Sequence, residues 1–92
     1  MTANAKILVI DDEHSVRWAF EKALQKAGYQ VALAENGMKG LNLYKTFHPD
    51  IVLVDIRMPE MDGLKVLEHI REIDPDAQVI VMTAYTDMET KI

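Results

Sequence analysis

An α/β fold built on a largely parallel sheet is what this 92-residue chain predicts, and three observations carry that expectation. Ile7-Leu8-Val9-Ile10, Ile51-Val52-Leu53-Val54 and Val79-Ile80-Val81-Met82 are apolar at every position, the pattern of strands buried on both faces. Segments with helical periodicity separate these runs. Such alternation implies βαβ units with right-handed crossovers. Each run also stops at a residue able to engage a metal ion or a phosphoryl group: Asp11-Asp12, Asp55 and Thr83.

The first strand is expected at Lys6–Ile10. Val16, Ala19, Phe20, Ala23, Leu24 and Ala27 then recur at helical spacing, with Ser15 as N-cap, or His14 one place earlier, and Gly28 as the stop. Tyr29–Ala34 reads as the second strand. Asn36-Gly37 opens a helix whose apolar face is Gly40, Leu43, Tyr44 and Phe47. An interior glycine such as Gly40 costs about 1 kcal/mol relative to alanine. His48-Pro49-Asp50 ends this helix and leads into a third strand, Ile51–Asp55. Residues 57–63 form a loop punctuated by Pro59 and Gly63. The third helix carries Val66, Leu67, Ile70 and Ile73 and stops before Asp74-Pro75. Gln78–Thr83 is the fourth strand. Thr86-Asp87-Met88-Glu89 is a capping box that announces a fourth helix, and the sequence runs on only to Ile92. A helix that short is marginal, so the expectation is an incomplete domain spanning residues 1–92 that ends at the start of helix four.

Composition excludes several classes. Hydrophobic residues make up 49%, enough for a core, and no apolar stretch is long enough to span a membrane. Residues 1–6 lack the regions of a secretory signal, and the absence of cysteine removes thiolate and disulfide chemistry. Both features fit a cytoplasmic protein. A net charge of −5 argues against direct nucleic-acid binding.

In open α/β sheets, ligands sit beyond the carboxyl ends of the strands. Asp11, Asp12, Asp55 and the Thr83 hydroxyl should therefore converge at one edge. Clustered carboxylates repel one another, and a hard divalent cation such as Mg²⁺ relieves that repulsion. His14, His48 and His69 share no metal-ligand spacing. The six methionines read as core filler, with Met58 and Met61 flanking the loop after Asp55. Trp18 lies off the apolar stripe, on one face with Lys22 and Gln25.

Together these segments resemble the receiver domain of two-component response regulators. The residues that carry the resemblance are Leu8-Val9-Ile10-Asp11-Asp12-Glu13, the stretch from Pro49 through Asp55 and Pro59 to Gly63, and Val79-Ile80-Val81-Met82-Thr83-Ala84. Ser15-Val16-Arg17-Trp18 and Asp55-Ile56-Arg57-Met58-Pro59 look most like the nitrogen-regulation type, whose members activate sigma-54 transcription. The resemblance implies a flavodoxin-like, doubly wound sheet of strand order 2-1-3-4. It implies that Asp55 accepts a phosphoryl group from a sensor histidine kinase. It further implies that Asp12 binds Mg²⁺ directly, Asp11 mostly through water and Arg57 through its backbone carbonyl. Thr83 would hydrogen-bond a phosphoryl oxygen. A carboxylate is a workable nucleophile here, and the transfer is mostly positioning plus electrostatics. Output domains would follow in the intact protein.

The family also has a fifth strand with an essential lysine, then a fifth helix. This sequence contains neither, and Lys91 falls in the start of helix four. Without that last unit Trp18 and an edge of strand four would be uncovered, and an uncovered edge invites a homodimer or a domain swap. Two other readings compete. One is a dimerising receiver fragment that works without phosphorylation. The other is a Mg²⁺-dependent phosphohydrolase of the haloacid-dehalogenase type, which requires Asp-x-Asp after the first strand. Here Glu13 stands at the second position, and there is no room for a cap domain.

Overall fold

β-Branched and other apolar side chains stiffen four short segments into strands. The computed structural model describes residues 5–82. In chain order they are β1 (Lys6–Ile10), α1 (His14–Lys26), β2 (Gln30–Ala34), α2 (Gly37–Phe47), β3 (Ile51–Asp55), α3 (Gly63–Ile73) and β4 (Val79–Met82). All strand pairs are parallel, in the order β2-β1-β3-β4. This is the expected architecture and the expected order. Ile10 pairs with Val54, so Asp11 and Asp55 come next to each other where β1 and β3 end.

Right-handed crossovers decide which face each helix covers. The chain moves one way from β1 to β2 and the other way from β2 to β3 and β4. α1 therefore lies on one face of the sheet and α2 and α3 on the other. The α2/α3 face is the better filled. There Leu8, Ile10, Val52, Val54, Val66 and Ile70 are fully buried, with Ala34, Tyr44, Met58 and Ala77 around them. Met58 is thus core filler, as expected, and Met61 packs against the same cluster. On the opposite face Ile7 and Val9 are buried beneath α1.

Helix ends follow local chemistry. Asn36 accepts a hydrogen bond from Lys39 N at 2.9 Å, and Asp62 accepts one from Lys65 N at 3.0 Å; both are side-chain N-caps. α1 closes with Gly28 at φ 99°, Gly28 N donating to Gln25 O and Tyr29 N to Leu24 O. This is a Schellman motif, and it needs the left-handed residue that glycine supplies. Gly40 has a packing reason: a Cβ there would run into the Ile10 side chain. The helix accepts a poor former so that α2 can lie close on β1.

Several expectations are corrected. α1 starts at His14, with Glu13 rather than Ser15 at the N-cap and no side-chain cap bond. The Glu13 amide is already committed to Asp11 Oδ1, which sets the chain's entry into the helix two residues earlier. β2 begins at Gln30, because Tyr29 N still closes α1. Of the predicted α1 stripe, Val16, Phe20 and Leu24 are half-buried while Ala19, Ala23 and Ala27 are exposed. α1 packs over β1 and β2 only, so its far flank meets no strand among the described residues. For the same reason Ile80 is 54% exposed although its run reads as buried on both faces. Ile73 is exposed as well, at the last turn of α3. β4 spans Val79–Met82. Thr83, the capping box from Thr86 to Glu89 and Lys91 lie outside the described residues.

Candidate functional site

The sheet reverses its winding at β1, and the crevice beyond the carboxyl ends of β1 and β3 is where an α/β sheet of this kind binds ligands. Asp11 follows β1 there, and Asp55 is the last residue of β3. Asp12 comes from the turn into α1. One carboxylate oxygen from each of Asp11, Asp12 and Asp55 lies within 4.8 Å of the other two. The three residues are graded in access: Asp11 is buried, Asp55 half-buried and Asp12 exposed.

Main-chain donors hold two of these carboxylates. Glu13 N donates to Asp11 Oδ1 at 2.9 Å, and Arg57 N donates to Asp55 Oδ1 at 3.2 Å. The Asp11 carboxyl nonetheless holds its proton to higher pH than an ordinary aspartate. Burial is the main cause. The bond from Glu13 N opposes it, and the charges of Asp55, Asp12 and Glu13 add to it. An acid group with this environment, among like charges, suits a cation that restores its ionised form. The donor set of three hard oxygens matches Mg²⁺ or Ca²⁺ rather than a soft metal.

The loop after Asp55 folds back on the strand end. Gly63 N donates to Ile56 O at 3.0 Å, and a Cβ on Gly63 would come within 2.8 Å of Ile56 Cα and against the Asp55 carbonyl. Glycine at this point permits the α3 N-terminus to press on the backbone that presents Asp55. Within the loop, Met61 N bonds Pro59 O at 2.7 Å across Glu60, which sits at φ 71°. A three-residue turn with a non-glycine residue at positive φ is strained.

Of the residues singled out from sequence, Asp11, Asp12 and Asp55 are brought together. Arg57 lies two positions beyond Asp55 with its amide turned to that carboxylate. Thr83 is outside the described residues. A cavity of about 340 Å³ between Tyr44, His48, Pro49, Ile73 and Asp74 lies at the other end of the sheet, away from the acids. One participant escaped the sequence reading. Arg17, on the first full turn of α1, donates from Nη1 to the backbone carbonyl of Asp11 at 2.7 Å. The available signal was its position: helical side chains lean toward the helix N-terminus, which here is the acidic turn.

The fold and the acid cluster define a receiver, and comparison with known proteins agrees. Residues 7–92 match the family described as response regulator receiver domain, and the chain belongs to that family. It is 46% identical over all 92 residues to the regulatory protein AtoC of Escherichia coli (strain K12), covering 20% of that protein. It is 42% identical to the DNA-binding transcriptional regulator NtrC of the same strain, over 94% of this chain and 18% of the relative. The chain thus spans about a fifth of the length of these curated relatives. Both likenesses agree with the nitrogen-regulation, sigma-54 activator type expected from Ser15–Trp18 and Asp55–Pro59. Among solved structures it superposes on the response regulator TrrA of Thermotoga maritima, determined in complex with Mg²⁺-BeF. That match has a TM-score of 0.84 and 38% identity, over 96% of this chain and 76% of the other. The sheet order is that of the flavodoxin-like receiver fold.

Proposed function

We propose that this chain is the phosphoryl-accepting switch of a two-component system, with Asp55 as the acceptor. The observation that carries the reading is the trio of carboxylate oxygens within 4.8 Å, with Asp55 half-buried at a strand end. Asp11, Asp12, Asp55 and the Arg57 carbonyl would hold Mg²⁺. Bound there, the ion supplies charge neutralisation for the transferring oxygens. A free Asp55 oxygen attacks the phosphorus of a kinase phosphohistidine in line. The new O–P bond makes an acyl phosphate while the P–N bond breaks, and its electron pair returns to the imidazole, which takes a proton from solvent. Thr83 would donate to a phosphoryl oxygen of the product. The partners are a sensor histidine kinase in the cytoplasm and, in the whole protein, a transcriptional output. The chain would act as a signalling module rather than as a turnover enzyme.

The test is incubation with Mg²⁺ and acetyl phosphate, followed by intact mass, beside Asp55→Asn. One added phosphoryl group in the parent and none in the variant is the expected result. No gain in a folded parent would remove the acceptor role from this chain. The exposure of Trp18 (56%) and Ile80 (54%) favours a second reading, self-association that does not depend on phosphorylation. A monomeric mass by light scattering over a wide concentration range would eliminate it.

A further inference from the structure

We infer that Arg17 is a positioning residue for the acidic site: its guanidinium clamps the peptide between Asp11 and Asp12 and presets the carboxylates for a divalent cation. This inference rests on the reading of Asp11, Asp12 and Asp55 as a cation site. The carbonyl that accepts from Arg17 Nη1, at 2.7 Å, belongs to the peptide that joins the two aspartates. Holding that carbonyl holds the plane of the peptide, and with it the direction in which Asp12 leaves the turn. Asp12 needs such a constraint. It is exposed, belongs to no strand or helix, and lies two residues past the last ladder pairing. The same turn is pinned at Asp11 N, which donates to Ala34 O at 3.1 Å, and at Asp11 Oδ1, which accepts from Glu13 N. Arg17 supplies the third pin, and the only one of the three with a charged donor.

The choice of acceptor matters chemically. An arginine beside three carboxylates would ordinarily form a bidentate ion pair with one of them and occupy its oxygens. Among the described residues, the hydrogen bond of Arg17 goes to main chain instead. Its positive charge offsets the mutual repulsion of the three acids from behind, and their oxygens stay available to a cation. Arg17 is half-buried on α1, whose own first hydrogen bond, Arg17 N to Glu13 O at 3.1 Å, fixes where the side chain starts. Groups that orient ligands in this way typically contribute 10- to 100-fold to metal affinity.

The test measures Mg²⁺ binding by calorimetry on the full 92-residue chain, on Arg17→Gln and on Arg17→Lys, with urea unfolding of each. Arg17→Gln should bind Mg²⁺ about tenfold more weakly. Arg17→Lys, which keeps the charge and loses the planar fork, should recover part of that affinity. A folded Arg17→Gln with parental affinity would overturn the inference, as would a loss that merely tracks stability in both variants. Failure of the underlying reading looks different, because the parent itself would then bind no Mg²⁺. A measurement on the unaltered chain covers variants that do not fold. In the metal-free protein the Arg17 guanidinium nitrogens should give separate NMR signals, the mark of hindered rotation. A single averaged signal would overturn the clamp.

Discussion

A methyl group at position 63 would collide with backbone, where nothing can rotate away. Ile56 Cα would lie 2.8 Å from it, with the Asp55 carbonyl alongside. Gly63→Ala should therefore destabilise the chain by about 1–3 kcal/mol, as overpacking does. It should also slow phosphoryl gain at Asp55, the proposed acceptor, because the shift falls on that residue's own backbone; urea unfolding and intact-mass time courses read the two effects. Tyr44 gives a pH dependence far from the site. Its hydroxyl pKa is raised above the ordinary value of 10.0, by burial first and then by the hydrogen bond and charge of Asp74, whose Oδ2 accepts at 3.2 Å. The native state thus holds this proton more tightly than the unfolded chain does. The contribution is complete below about pH 10 and is lost as pH rises through the raised native value. Stability measured by urea unfolding should decline in alkali, and Tyr44→Phe should flatten that decline while costing about 1 kcal/mol at neutral pH.

At the scale of the elements, the three helices begin in different ways. Asn36 and Asp62 cap α2 and α3 through their side chains, whereas Glu13 makes no such bond at α1. Asn36→Ala and Asp62→Ala should each lower unfolding free energy by about 1 kcal/mol. Glu13→Ala should change it by less than about 0.5 kcal/mol, as exposed substitutions without a partner do. Chemical denaturation of the three variants side by side checks the contrast. α1 differs in packing as well as in capping. It has no fully buried residue, while α3 sends Val66 and Ile70 into the core. Ile70→Ala should cost about 2–5 kcal/mol, and a truncation on α1 such as Leu24→Ala should cost less. Comparison of their denaturation midpoints tests whether the two sheet faces are as unequal as their coverage.

For the molecule as a whole, stability and the acidic site are linked. Three carboxylates gathered at one edge repel each other in the metal-free chain. A cation that binds only the folded state adds its binding energy to folding. At one hundred times its dissociation constant, Mg²⁺ should raise unfolding free energy by about 2.7 kcal/mol. A domain of this size has a margin of only about 5–15 kcal/mol, so thermal scans should show the gain clearly. The gain should reverse with a chelator and be weakened in Asp12→Asn.

The sequence by itself determined the alternation of strands and helices, the site acids and most element ends. Those features depend on local periodicity, on capping residues and on glycine at positive φ, all written in a few consecutive positions. Gln30 rather than Tyr29 as the start of β2, and Glu13 rather than Ser15 as the N-cap of α1, were decided by hydrogen bonds that reach across a turn. Only the tertiary structure decided which apolar positions are buried. Ile80 and Ala23 look as apolar as the buried Val9 and the half-buried Leu24, and they are exposed because, among the described residues, α1 covers only β1 and β2. The bond from Arg17 to Asp11 was legible only through the position of Arg17 near the start of α1, since a side chain bonded to a main-chain carbonyl leaves no pattern of residue types. Burial and hydrogen-bond partners depend on which surfaces meet, and the order and winding of the strands set that.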